Sequence, residues 1–377
     1  MNDSLVIAVN PGTTTTRCAA YRPAPSAEAA PALAAERTFE HSDEQLGRYA
    51  AIAEQLAFRL ELLESFAAKT LRAASGAKLV ACAGRGGMLT PVPPGVIRVN
   101  EALVEFSLHT PVYQHSSNLG APLAHALAER HGCPAFIADP VSVDELTDVS
   151  RISGSPEFPR FSFVHALNIR ATARKTAAAL GRRLDELNLV IAHLGAGFSI
   201  AAMRCGRLID NSNRMECSPF TPERCGGLPP IPLIEASFSG RYTRDELMKR
   251  LYGEGGVYAY LGTRDMRRVE AMIDAGDARA ALIFEAMRYQ IKKAIGAMAG
   301  ALDFELDGIA LTGGLVNSRR LTEDLSEACA RIGPVFTHPG SNETEALAAA
   351  AFSALVDSAD VMEWPVAAPA GAAGAAP

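Results

Sequence analysis

Val6-Ile7-Ala8-Val9 runs into Asn10-Pro11-Gly12, then the four threonines Thr13 to Thr16, then Arg17-Cys18-Ala19-Ala20-Tyr21. A short β-rich apolar run, broken by Asn, Pro and Gly and followed by a second apolar run, reads as strand, turn and return strand. Half a chain later the plan recurs: Val190-Ile191-Ala192-His193 enters Gly195-Ala196-Gly197 and leaves through Ala201-Ala202. Two such hairpins suit a two-lobed nucleotide clamp, because the backbone N–H groups of a glycine-loosened turn can face phosphate. Two unrelated apolar hairpins would read the same way, since short apolar runs are ambiguous. A third strand ending in glycines, Leu311-Thr312-Gly313-Gly314, favours the clamp.

Outward from these turns, Pro23 to Ala35 is rich in Ala and Pro and reads as a solvent-side loop, while residues 44–73 carry helical periodicity. Leu79–Ala83 reads as a buried strand leading into Gly84-Arg85-Gly86-Gly87, and Ala135–Ala138 as another, closing on Asp139-Pro140. A helix is expected from near His165 to Gly181, and Ile283, Met287, Ile291, Ile295 and Met298 mark the core face of a long one. After Ala367 only Ala, Pro and Gly remain, a composition that predicts disorder.

The 377 residues suggest two domains, and the net charge of -6 argues against nonspecific binding to nucleic acid or anionic lipid. No apolar run approaches the ~18 residues of a membrane span. Met-Asn-Asp-Ser at the start has no basic region, so it does not read as a signal peptide. Seven cysteines without a CxxC pair read as reduced thiols, hence a cytoplasmic protein, rather than a disulfide framework or zinc site.

Asn10-Pro11-Gly12-Thr13-Thr14-Thr15-Thr16-Arg17 resembles the first phosphate loop of the acetate and butyrate kinase family. His193-Leu194-Gly195-Ala196-Gly197 is similar to the family's second loop, and Thr312-Gly313-Gly314 to its adenosine loop. Gly84-Arg85-Gly86-Gly87, His115-Ser116-Ser117-Asn118, Ala138-Asp139-Pro140-Val141, Asp144-Glu145-Leu146, His165-Ala166-Leu167-Asn168, Pro222-Glu223-Arg224 and Tyr260-Leu261-Gly262-Thr263 follow in the same order. The resemblance spans roughly residues 4–355 and implies the fold of the sugar kinase, heat-shock chaperone and actin superfamily. That fold is α/β, with two similar actin-like (ribonuclease H-like) lobes, each with a mixed sheet, around a central nucleotide cleft. The lobes expected are residues 1–164, completed by 342–360, and the nucleotide-binding residues 165–341, with 361–377 a disordered Ala/Pro tail.

The implied chemistry is transfer of the γ-phosphoryl group of ATP, with Mg²⁺, to the carboxylate of a short-chain acid. A carboxylate is already ionised at pH 7, so the reaction needs alignment and charge neutralisation rather than a strong base. Arginine suits that task through bidentate pairing, and the resemblance points to Arg85 and Arg224, with a plain surface role as the alternative. It makes His165 the histidine that hydrogen-bonds the phosphoryl group. His115 is similarly placed, and a structural role fits it equally well. Glu343, with Asn10, is implied as the Mg²⁺ site, though Glu345 lies near enough to be confused with it. Asp139 is expected to orient an arginine or the metal shell. Thr13, Thr15, Arg17, His193, Gly195, Gly197, Asp265, Arg267, Gly313, Gly314 and Asn317 fall on the ATP side of the resemblance, and Pro222 on the acid side.

Some positions depart from the family. Arg17 replaces a lysine, Cys225 stands where Ser or Ala is common, and Asn211–Cys217 does not follow the usual run. Acetate kinases carry valine where Gly87 stands and phenylalanine where Val164 stands. Both changes are expected to widen the acyl pocket for C3 to C5 acids. The activity implied is ATP + butanoate giving ADP + butanoyl phosphate, by a phosphotransferase with a carboxyl acceptor working as a homodimer or larger homo-oligomer. A kinase preferring propionate or branched 2-methylpropanoate is the near alternative. A non-catalytic actin-like assembly protein is the distant one, although such a protein has no need of the Arg85 and Arg224 pair.

Overall fold

The structure is a computed structural model that describes residues 3–24, 29–212, 218–369, 371 and 372. The divergent stretch Asn211–Cys217 therefore lies largely outside the described residues. In chain order the first elements are β1 (Ser4–Pro11), β2 (Thr15–Arg22), β3 (Ala32–Glu40), α1 (Leu56–Ala73), β4 (Lys78–Arg85), β5 (Val96–Arg98), α2 (Gly120–His131) and β6 (Ala135–Ala138). Next come α3 (Ala166–Leu180), β7 (Asn188–Leu194), β8 (Phe198–Arg204), β9 (Arg207–Asn211), α4 (Pro230–Phe238), α5 (Met266–Asp274) and α6 (Ala278–Gly300). The chain closes with β10 (Gly308–Gly313), α7 (Arg319–Cys329), β11 (Val335–Pro339), α8 (Glu343–Val356) and β12 (Met362–Glu363).

Two compact units result. The first is Met1–Asp144, Ala166–Asn168 and Asn342–Pro377; the second is Glu145–His165 and Ile169–Ser341. The segment Glu145–His165, expected with the first lobe up to residue 164, thus belongs to the second unit. There Glu145 pairs with Arg170 at 2.5 Å and accepts the Leu208 N–H.

The first unit is built on a sheet of order β12-β5-β6-β4-β1-β2-β3. β1, β2 and β3 form an antiparallel meander, and β4 and then β6 add in parallel beside β1. The central strands are buried on both faces, which is why Leu5 to Val9 and Ala81 to Ala83 read as continuous apolar runs. The β1–β4 ladder has one irregularity: Leu5 faces Leu79 but Val6 faces Ala81, so Val80 is an extra residue on β4.

The loop expected over Pro23–Ala35 is corrected at its end, because Ala32 to Ala35 already belong to β3. That strand is almost wholly exposed and is held by its ladder to β2 rather than by burial. The tail boundary at residue 361 is corrected too. β12 pairs with β5, and Trp364 is buried against Phe106, its carbonyl accepting from Asn100 Nδ2 at 2.8 Å. Ala372 is buried, and its N–H donates to Pro369 O. Residues 370 and 373–377 lie outside the described residues.

The second unit has sheet order β11-β10-β7-β8-β9, again an antiparallel meander (β7, β8, β9) extended by parallel strands (β10, β11). Ile283, Met287, Ile291, Ile295 and Met298 on α6 are buried in its core with Val190, Phe198 and Leu311. The orders β3-β2-β1-β4-β6 and β9-β8-β7-β10-β11 match strand for strand. A helix follows the meander in each unit (α1, α6) and another separates the two parallel strands (α2, α7); in chain order a third follows the last strand of each sheet, α3 after β6 and α8 after β11, with most of α3 in the second unit and α8 in the first. The two hairpins read from sequence are therefore equivalent members of one repeated plan, as in the actin-like fold, and not two unrelated turns.

Candidate active site

In the first unit the site residues stand where parallel strands end. Val9 pairs with Gly84 and Arg85 with Ala138, so Asn10, Arg85 and Asp139 sit at the carboxyl ends of the adjacent strands β1, β4 and β6. This is the edge at which open α/β sheets bind ligands. Glu343, the first residue of α8, is buried against this edge. Asn10 Nδ2 donates to Glu343 Oε2 at 2.5 Å, and Arg85 Nη1 donates to Asn10 Oδ1 at 3.3 Å. Arg85 Nη2 lies 3.4 Å from Glu343 Oε1, so both carboxylate oxygens face the guanidinium or Asn10. Three residues separated by 75 to 333 positions are thereby one cluster.

The charge of Glu345, the alternative carboxylate, helps raise the pKa of Tyr21, behind the larger effect of burial and against a Thr344 hydrogen bond. Asp139 adopts a left-handed φ of 38° and accepts the Gly95 N–H at 2.9 Å, a bond that shapes the turn after β6. His115 caps the short 3₁₀ turn Ser116–Leu119, with Nδ1 2.8 Å from Ser117 Oγ. Arg17 points across the sheet to Glu36, which compensates the charge expected on the phosphate side.

At Gly87 the volume of a missing side chain is not left open. A Cβ at Gly87 would lie 2.7 Å from Asn118 Cα and 2.6 Å from Asn118 Oδ1, so no spare volume exists there. Asn118 fills it and staples the chain, accepting the Met88 N–H and donating to Tyr113 O, each at 2.8 Å.

In the second unit three elements converge at one sheet edge. His193, near the end of β7, pairs with Thr312 on β10 and with Ser199 on β8. The glycine turns 195–197 and 313–314 therefore lie side by side. Gly313 has φ +100°, and a Cβ there would come within 2.3 Å of Leu194 O, so only glycine fits. Asn317 Nδ2 closes the second turn onto Gly314 O at 2.9 Å.

The imidazoles of His165 and His193 stack with centroids 4.1 Å apart and planes 14° from parallel. Ser199 Oγ accepts the His165 backbone N–H at 3.3 Å and lies 2.8 Å from His165 Nδ1. The Ser199 hydroxyl thus fixes the Nδ1 edge of the His165 ring. Val164, beside His165, is buried.

Arg224 follows Pro222, whose carbonyl accepts the Tyr258 N–H at 3.0 Å; the Arg224 N–H donates to Thr221 Oγ1 at 3.0 Å. The Arg224 guanidinium lies directly on Gly197: a Cβ there would be 2.5 Å from Nη1. Asp265 and Arg267, expected at ATP, are paired with each other in a two-point fork of 3.0 and 2.9 Å at the exposed start of α5. That contact lowers the Asp265 carboxyl pKa.

Two participants escaped the sequence reading. Arg59 on α1 is fully buried and hydrogen-bonds the Gly12–Thr16 turn from behind. Its position was readable: Arg59, Leu63, Phe66, Ala67 and Thr70 share one buried stripe, and a charge on an apolar stripe is informative. Ser199 had no such signal.

The donor set suits Mg²⁺, which takes one or two carboxylates and completes its shell with water and substrate phosphate. Glu343 and the Asn10 carbonyl oxygen supply that; among the described residues no group of three or more His, Cys, Asp or Glu side chains forms a protein cage. Among those residues, too, no helix is long and apolar enough to cross a membrane.

Comparison with known proteins gives this arrangement its context. The model of the acetokinase family matches residues 160–358. Over 345 residues, 91% of this chain and 94% of the relative, the sequence is 40% identical to probable butyrate kinase 2 of Caldanaerobacter subterraneus subsp. tengcongensis. Among solved structures, the fold is similar to Porphyromonas gingivalis acetate kinase (TM-score 0.68, 17% identity, 93% of this chain and all of that one). It is also similar to a Francisella tularensis propionate kinase (TM-score 0.66, 17% identity, 92% and 98%). A repeated actin-like plan, paired glycine turns and near-complete coverage of a relative at this identity place the chain in the acetokinase family.

Proposed function

We propose that the protein is a butyrate kinase, catalysing ATP + butanoate = ADP + butanoyl phosphate, reversibly and with Mg²⁺. The observation that carries this reading is the 40% identity to a probable butyrate kinase over nearly the whole of both chains. A carboxylate oxygen of butanoate attacks the γ-phosphorus in line; the new O–P bond forms as the P–O bond to ADP breaks. The nucleophile has no proton to lose, so the protein's work is positioning and neutralisation.

Arg85 and Arg224 offer planar forks to carboxylate or phosphoryl oxygens, and His165 hydrogen-bonds the phosphoryl group. The turns at Gly12–Thr16 and Gly195–Gly197 present N–H groups to phosphates, and Gly313, Gly314 and Asn317 line the adenosine side. Bound Mg²⁺, held at Glu343 and Asn10, supplies further neutralisation of phosphate charge. Val164, next to His165, bounds the acyl chain. The same proposal assigns the protein to the cytoplasm, consistent with its scattered thiols, and to a homodimer or larger assembly. Helix α4, whose Ile231, Ile234 and Phe238 are exposed, supports the latter.

The test is acyl phosphate formation, trapped as hydroxamate, across linear and branched C2 to C6 acids. Highest kcat/KM for butanoate is expected. A clear preference for propanoate or 2-methylpropanoate would reassign the substrate within the family. No acyl phosphate from any acid would overturn the activity and favour a non-catalytic assembly protein.

A further inference from the structure

The side chain of Arg59 is 0% exposed, and among the described residues no carboxylate pairs with it. Its charge is met by oxygens of a single turn instead. Nη1 donates to Gly12 O at 3.0 Å, Thr15 O at 2.9 Å and Thr16 Oγ1 at 2.9 Å; Nη2 reaches Thr13 O at 3.4 Å. The opposite edge of the guanidinium is fixed by Gln55, whose Oε1 accepts from Nε at 3.2 Å and Nη2 at 2.9 Å. Burial lowers the Arg59 pKa to about 10, which leaves it cationic at neutral pH.

An unpaired buried cation is costly, and a salt-bridged or apolar residue would serve the core better. The geometry accounts for its presence in another way. A trans peptide is planar, so a carbonyl directed inward sends the following N–H outward. With the carbonyls of Gly12 and Thr13 drawn towards Arg59, the N–H groups of Thr13 and Thr14 are turned to the exposed side of the loop. The remaining carbonyl, Thr14 O, is held by the His41 N–H at 2.9 Å.

We propose that Arg59 is a positioning residue for nucleotide phosphate: one buried guanidinium gathers the carbonyls of the Gly12–Thr16 turn and thereby aims its N–H groups, while adding positive potential behind them. This rests on the reading of that turn as a phosphate loop.

The experiment compares wild type, Arg59→Lys and Gln55→Leu, varying ATP and butanoate separately, with circular dichroism and Tm as the check on folding. An ammonium cannot span four acceptors, so Arg59→Lys should lower kcat/KM for ATP by at least about tenfold while KM for butanoate stays within about twofold. Gln55→Leu, which frees the guanidinium's far edge, should act in the same direction by a smaller factor. A folded Arg59→Lys with wild-type kcat/KM for ATP, or one impaired equally for both substrates, overturns the proposal. Should Arg59→Lys fail to fold, Gln55→Leu decides: unchanged ATP kinetics overturn it. A wild-type chain that phosphorylates no acid would refute the kinase activity, and ATP affinity of the same variants by calorimetry would still decide on Arg59.

Discussion

Gly197→Ala separates the positioning of Arg224 from stability. The new Cβ would lie 2.5 Å from Arg224 Nη1, 2.9 Å from Cζ and 3.1 Å from Nη2. Carbon and nitrogen settle at about 3.5 Å or more, so the guanidinium must withdraw by about 1 Å. The contact is with the far end of a long side chain, which can swing, so the folding cost is small. Gly197 also lacks a left-handed φ, and alanine there removes some freedom from the unfolded chain, worth about 0.4–1 kcal/mol in favour of folding. Catalysis has no such slack: a 1 Å misplacement of a reacting group costs about 10²-fold, or roughly 2.7 kcal/mol of barrier. The expected outcome is Tm at or slightly above wild type, with kcat reduced about 10²-fold. Hydroxamate trapping at saturating ATP and butanoate measures the rate, and calorimetry the Tm. Gly313→Ala is the contrast: its Cβ would meet Leu194 O at 2.3 Å from a φ of +100°, and backbone cannot swing aside, so Tm should fall with activity. A Gly197→Ala enzyme with kcat near wild type would refute the reasoning, as would a large loss of Tm.

Arg224→Ala should lower kcat by roughly 10²–10³, and Arg224→Lys should rescue only part because a point charge cannot pair bidentately; a normal kcat in a folded alanine variant removes Arg224 from the mechanism. Val164→Phe should fill volume used by the acyl chain, at an overpacking cost of about 1–3 kcal/mol, so the acetate-to-butanoate ratio of kcat/KM should rise about tenfold; an unchanged ratio takes Val164 out of the pocket. His41 is held neutral, its pKa lowered to about 4 by burial and then by Arg59, while Nε2 faces Thr16 Oγ1 at 2.8 Å. The unfolded chain therefore takes up a proton near pH 6.5 that the folded one refuses, and stability present above that pH should fall on acidification towards pH 4, by up to about 3 kcal/mol. In denaturant titrations at pH 7 and 5, His41→Gln should lose less than wild type; equal losses would refute the assignment.

The strands legible in sequence were those buried on both faces: the apolar runs at Leu5, Leu79, Ala135 and Val190 needed no partner to be recognised. β3 was missed because it is an exposed edge whose residues alternate without an apolar face; only its ladder to β2 makes it a strand. Asn10, Arg85 and Glu343 were each legible through motif, but their contact depends on strand register and on where α8 begins. The His165–His193 stack and Ser199 depend on β7 pairing with β8, which no local pattern encodes. The surroundings of Gly87 were not legible, because a residue's volume says nothing of its neighbour: the space a side chain would take there is filled by Asn118.

The extra residue Val80 makes the meeting of Asn10 and Arg85 a matter of parity. Side chains on a strand alternate between faces, so the count from the β1–β4 irregularity to each strand's end decides whether the two point the same way. Val6 to Asn10 and Ala81 to Arg85 are matched steps, and the match survives any substitution that keeps the strands. A one-residue insertion or deletion in either run would turn Arg85 to the opposite face of the sheet from Asn10. An added pair of residues would restore the facing but displace it along the strand by about 6–7 Å, beyond hydrogen-bond reach. These two short runs should therefore tolerate changes of residue type far better than changes of length.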